Sequence, residues 1–176
     1  MIVKFKRFHK DAKIPTQAYA DDFCVDLYAV SEEEIAPNVW KYGFGFGLQI
    51  ERDNEIIEKG IADIDKYGNY YGTKGGKEIR FDLSPIKLSI DIRPRSSVWK
   101  TGMVLSNCEG TIDEGYTNQI SAVFYHVLTD MPRYKVGDKI AQAKIGFTLP
   151  IRFVEVDELD ETERGLKGYG SSDKKD

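Results

Sequence analysis

Five short segments of the 176-residue chain carry residue types that can do chemistry at their spacing. Pro94 to Ser97 reads PRSS, directly after an alternating stretch. An arginine beside two hydroxyls at a strand end can hold phosphate oxygens or brace a neighbouring carboxylate, and a turn with a surface arginine is the plainer alternative. Gly110 to Tyr116 reads GTIDEGY. There Asp113 can serve as a general base, as a metal-associated carboxylate, or simply as a turn cap, while Gly115 permits a sharp turn before Tyr116 opens a new strand. Asp26 lies between Val25 and Leu27 in FCVDLYA, and a carboxylate in so apolar a stretch needs a partner or solvent. It can orient metal-bound water or face outward from a strand. Gly137 to Gln142, GDKIAQ, predicts a turn entering a strand with Gln142 free to hydrogen-bond a ligand. Near the end, RGLKGYGSS unites Arg164, Gly168, Tyr169, Gly170, Ser171 and Ser172. Arginine and backbone amides suit phosphate and the ring suits stacking on a base, although a frayed tail has the same composition.

The elements that must position these groups are mostly strands. The apolar pattern predicts strands at Ile2 to Phe8, Val39 to Ile50, Ile79 to Phe81, Ile86 to Ile92, Gly102 to Leu105, Ile120 to Leu128, Lys139 to Phe147 and Ile151 to Val156. In IKLSIDI, Ile86, Leu88, Ile90 and Ile92 face one way and Lys87, Ser89 and Asp91 the other. Helix signals are confined to Ser31 to Ile35, stopped by Pro37, and Asp157 to Arg164, and either can be a mere turn. The fold class is all-β, a barrel or sandwich. Residues from about 51 to 78 are charged and glycine-punctuated, which predicts one or two inserted hairpins on a single domain spanning 1–176.

Hydrophobic residues make up 41% and charged residues 31%, the balance of a globular protein. A net charge of -4 gives no general basic field for a nucleic-acid backbone, but a local cluster can still bind a small phosphate. No apolar run is long enough to span a membrane. Two cysteines, Cys24 and Cys108, cannot make a metal quartet or a disulfide framework, and without an export signal the expected compartment is the cytoplasm.

Taken in order, the five segments resemble the motifs of the trimeric deoxyuridine triphosphate nucleotidohydrolases, the dUTPase family. FCVDL, PRSS, GTIDEGY, GDKIAQ and RGLKGYGSSD correspond to its first to fifth motifs, and Asn107 to a step before the third. The resemblance implies a dUTPase-like β-barrel, a distorted jelly roll, with a flexible C-terminal arm at about 157–176. It implies hydrolysis of dUTP to dUMP and pyrophosphate with Asp113 as base, Ser96 and Arg95 completing the catalytic group, and Mg2+ held by Asp26 through water. Substrate contacts fall to Ser97, Asn107, Gly110, Ile112, Tyr116, Gln142, Arg164, Gly168, Tyr169, Gly170, Ser171 and Ser172. A homotrimer with active sites at the subunit interfaces is implied too, with no nucleic-acid or membrane partner and an open question of a partner for the insertion.

Several positions depart from the family pattern. Cys24 and Val25 stand where a glycine and an aromatic are usual, Lys139 where an arginine is, and Tyr169 where a phenylalanine is. The alternatives are a dCTP deaminase of the same fold and a non-catalytic nucleotide-binding or interaction module. The stretch Gln119 to Val127 lacks the glutamate that a deaminase would use, and Asp113, Tyr116, Ser96 and Arg164 all remain against the module.

Overall fold

Alternation of β-branched and aromatic residues with polar ones organises the chain, and a computed structural model describes residues 2–51, 86–149 and 151–162. Ten strands run through them: β1 (Ile2–Arg7), β2 (Val25–Tyr28), β3 (Ser31–Ala36), β4 (Val39–Gly43), β5 (Phe46–Glu51), β6 (Lys87–Pro94), β7 (Met103–Leu105), β8 (Gly110–Asp113), β9 (Ser121–His126) and β10 (Lys139–Thr148). They form a β1-β5 ribbon and two four-stranded sheets, ordered β2-β10-β6-β8 and β3-β4-β9-β7. Every pairing is antiparallel. The only helical piece among the described residues is a 3-10 turn at Ser96–Lys100, and none is long and apolar enough to cross a membrane.

All three layers share one apolar core. Tyr42, Phe44 and Phe46 enter it from β4, β5 and the link between them, Phe124 from β9, Ile92 from β6 and Ile140 from β10. Each side chain is fully buried and contributes on the order of 2 kcal/mol relative to exposure.

The all-β class holds, but the expected closed β-barrel of jelly-roll type does not. The sheets stay open, because β2 and β8 end one and β3 and β7 end the other without pairing to each other. Closure needs a continuous hydrogen-bonded circuit, whereas β7 has three residues and β2 and β8 four each. Such short edges are a common way for a sheet to stop.

Four local expectations also change. Ser31–Ala36 is a strand and not a helix, since its backbone is committed to pairing with β4. Val39 to Ile50 is two strands, broken at Gly45, whose φ of 74° suits glycine and whose missing Cβ leaves room for His9 and Val30. Ile151 to Val156 is not a strand, and 157–162 is not helical. The predicted strand at Ile79 to Phe81, nearly all of the insertion at 51–78, and the arm beyond residue 162 lie outside the described residues.

The strand at Ser31–Ala36 gives one of its glutamates a structural role. Arg133 donates to Glu32 Oε1 at 3.0 Å and to the Tyr134 carbonyl at 3.1 Å, while its guanidinium lies 3.5 Å from the Trp40 ring centroid. Tyr42 donates to the same Tyr134 carbonyl at 2.9 Å. The Arg133 hydrogen bond holds the Glu32 carboxyl below its usual value of 4.5, against the opposing push of burial. A depressed carboxylate stabilises the fold above its unfolded value and loses that contribution as pH falls through the folded value. Glu32→Gln is therefore expected to unfold about 1 kcal/mol more easily at pH 7, and the gap to the parent should close below pH 4.5. Thermal melts of both proteins across that range test this, and a gap independent of pH would contradict it.

Candidate active site

The sheet β2-β10-β6-β8 brings three of the five segments together. Gln142 on β10 pairs with Asp26 on β2 on one side and with Arg93 on β6 on the other. The first and fourth segments thus lie side by side, and the second follows from the end of β6. Asp26 is only 8% exposed, and both its oxygens are taken. Arg95 Nε donates to Oδ1 at 2.9 Å and Lys139 Nζ to Oδ2 at 2.8 Å. Asp26 is thus a buried carboxylate with two cationic partners, and of the two sequence readings the outward-facing one is set aside. The hydrogen bond to Asp26 raises the Lys139 ammonium above its ordinary value, with the Tyr28 hydroxyl adding to it. Gln142 Nε2 donates to the Pro94 carbonyl at 3.3 Å, tying the fourth segment to the second.

Arg95 is extended, and the chain then turns at once into the 3-10 segment, with Val98 N–H on the Arg95 carbonyl at 3.0 Å. This leaves Ser96 exposed and Ser97 half-buried beside the Asp26 cluster in sequence.

The third segment lies on β8. Cys108 adopts φ 56° in the turn after Asn107, and β8 then pairs Gly110 with Ile92, Ile112 with Ile90 and Asp113 with Ser89. A Cβ on Gly110 would approach the Asn107 amide to 3.3 Å. Ile112 packs against the core and Asp113 is exposed. The turn after it closes through Tyr116 N–H on the Asp113 carbonyl at 2.9 Å. Tyr116 does not open a strand as expected: its hydroxyl donates to the Gln119 carbonyl at 3.0 Å, and β9 begins only at Ser121.

Within one chain Asp113 stands apart from the Asp26 cluster. Its pairing partner Ser89 precedes Pro94 by five residues on the same extended strand. That is a separation of about 16 Å along β6 at roughly 3.3 Å per residue. The fifth segment, with Arg164, Gly168, Tyr169, Gly170, Ser171 and Ser172, lies outside the described residues.

Sequence reasoning missed part of this site. Lys139 stood out only as a replacement for arginine, and its role as a partner of Asp26 has no local signal. Asp91, expected on the face of β6 opposite Ile90 and Ile92, is only 9% exposed. It accepts from Lys144 Nζ at 2.5 Å and from Ser89 Oγ at 2.8 Å. Burial pushes its carboxyl up, but Lys144 and Ser89 together hold it below 3.8. Gly146 was the available clue, since a Cβ there would lie 2.2 Å from Asp91 Oδ2.

An open antiparallel scaffold brings a carboxylate, an arginine and a glutamine together from three ordered motifs, and defines an all-β protein. The dUTPase family model matches residues 78–173, just over half of the chain. A deoxyuridine 5'-triphosphate nucleotidohydrolase of Corynebacterium glutamicum is 30% identical over 174 residues, covering 98% of this chain and 95% of the relative. Among solved structures, the Staphylococcus bacteriophage 80alpha dUTPase with dUPNHPP superposes with a TM-score of 0.64 at 17% identity, covering 97% of this chain and 98% of the other. A mutant dUTPase of Staphylococcus aureus phage phi11, described with a structural Mg(II) ion, gives a TM-score of 0.52 at 15% identity over 93% and 99% of the two chains. The chain belongs to the dUTPase family.

Proposed function

We propose that this protein hydrolyses dUTP to dUMP and pyrophosphate. The observation that carries the reading is Asp26 gripped by Arg95 and Lys139, with Gln142 in the adjacent register, so that the first, second and fourth motifs meet at one place. The family and its nucleotidohydrolase relatives support the same reaction.

Asp113 is the base that orients a water and takes its proton as the oxygen attacks the α-phosphorus in line. Ser96, Ser97 and Gln142 position the phosphate chain, and Arg95 chiefly braces Asp26. Asn107, Gly110 and Ile112 form the edge that reads uracil, with Tyr116 packed under the deoxyribose. The bond from Tyr116 to the Gln119 carbonyl supports this, because it fixes the ring. Arg164 on the γ-phosphate and Tyr169 on the base, with Gly168, Gly170, Ser171 and Ser172, close the site and reduce positional freedom.

The donor set suits a divalent metal. One carboxylate, hydroxyls and a triphosphate match the preference of magnesium for few protein ligands and several waters. When bound, Mg2+ would supply charge neutralisation to the triphosphate, and Asp26 would hold it through water. Asp26 can do so while retaining its two cationic partners, because a carboxylate has about four lone-pair sites.

The working unit is a homotrimer with sites at the subunit interfaces, built from one domain spanning 1–176 with its insertion and arm. The separation of about 16 Å between Asp113 and the Pro94 end of β6 supports this, since a second chain has to bring the two halves together.

Incubation with magnesium and each deoxynucleoside triphosphate, followed by separation of products, tests the reaction. Preferential release of dUMP and pyrophosphate from dUTP is expected. Conversion of dCTP to dUTP, or no turnover of dUTP, would overturn the reading.

A further inference from the structure

The proposed base has a neighbour that neither the motifs nor the family assignment accounts for. Ser89 is the direct cross-strand partner of Asp113, so both side chains stand on the same face of the sheet, with Cβ atoms about 5 Å apart. A cavity opens on that face, where Ser89, Asp91, Thr111, Asp113 and Lys144 sit beside the apolar Leu88 and Phe147. Ser89 is not free to rotate: its hydroxyl hydrogen is committed to Asp91 Oδ1 at 2.8 Å, and Asp91 is locked in turn by Lys144 at 2.5 Å. Gly146, paired with Ser89 from the other side, leaves the space that Asp91 occupies. A hydroxyl whose only hydrogen is spent can present only lone pairs elsewhere.

We propose that Ser89, fixed by the Asp91–Lys144 pair, is a positioning residue for Asp113, accepting a hydrogen bond from its carboxyl once that group is protonated. The inference rests on the reading of Asp113 as base. In the step concerned, the water oxygen forms its bond to the α-phosphorus as the bond to the departing pyrophosphate breaks. The water proton passes to Asp113, and the new O–H donates to Ser89 Oγ. The product carboxylic acid is thereby held in place. Lys87, Asp91 and Arg93 from β6, Lys144 from β10, and Glu109, paired with Arg93 beside β8, supply the remaining charges on this face.

The test is steady-state kinetics on Ser89→Ala and Ser89→Thr, with thermal melts of each. Ser89→Ala should lower kcat about tenfold at unchanged KM, the scale of a small misplacement of a catalytic group. Ser89→Thr, which keeps the hydroxyl and suits a strand, should restore most of that loss. Ser89→Cys serves in the same way should the alanine variant not fold. Unchanged kcat in Ser89→Ala, or an equal loss in the threonine variant, would overturn the proposal. Adding Ser89→Ala to Asp113→Asn should cost nothing further, and a further tenfold loss would show that Ser89 acts independently of the base. An active Asp113→Asn variant sinks the base assignment itself, whereas an inactive one beside an undisturbed Ser89→Ala sinks only the role of Ser89.

Discussion

Replacing Asp113 by asparagine should lower dUTP turnover by about 10²–10⁴-fold, the usual contribution of a positioned general base, while leaving nucleotide affinity within a few-fold. Asparagine has nearly the same shape but cannot take a proton from water. The fold should not notice the change. Asp113 is exposed at the end of an edge strand, and the contact that closes its turn uses its carbonyl, which the substitution keeps. Pyrophosphate release measures the first quantity, and titration with a non-hydrolysable dUTP analogue the second. Loss of binding in parallel with turnover would assign Asp113 to substrate grip instead, and retained turnover would remove it from the chemistry.

The second large effect is expected at Asp26. Asp26→Ala deletes the anion between Arg95 and Lys139 and leaves two cations facing each other across a mostly buried space. Breaking one side of a buried ion pair costs about 3–5 kcal/mol. Arg95 and Lys139 are 30% and 36% exposed and can turn to water, so a cost of about 2 kcal/mol is the better expectation. In a chain of this size that lowers the melting temperature by about 4–8 °C. Activity should fall further than stability explains, and added magnesium should not restore it, because the proposed water-mediated hold on the metal would be gone. Melting curves and magnesium titrations of Asp26→Ala beside Asp26→Asn separate the two effects. Full activity in the asparagine variant would show that the charge of Asp26 is dispensable.

The sequence made the strands legible wherever alternation and burial agree, as in β6, where Ile90 and Ile92 enter the core as the pattern requires. It misled where local chemistry competes with pairing. Three consecutive glutamates after a serine look like a helix start, yet Glu32 is drawn to Arg133, distant in sequence, and the segment is a strand. Barrel closure was not legible either, because it depends on how the short ends β2, β8, β3 and β7 meet, and no local pattern encodes that. At the site, Asp26, Arg95 and Gln142 were readable as motif residues. Their meeting was not, since it arises from the order of strands in the sheet. Asp91 shows the same limit, as its polar alternation correctly gave its face but not that Lys144 and Gly146 would bury it.

Strand β6 runs from the Arg95 end to Ser89, the partner of Asp113 on β8. In the proposed trimer each polypeptide would lend its base to one neighbour and receive one from a different neighbour. Damage to a chain would then not be private to it. Unfolding and reassembling Asp113→Asn and Asp26→Ala together should yield mixed assemblies in which some sites combine an intact Asp113 with an intact Asp26. Part of the lost activity should return on mixing, as in complementation between two alleles of one gene.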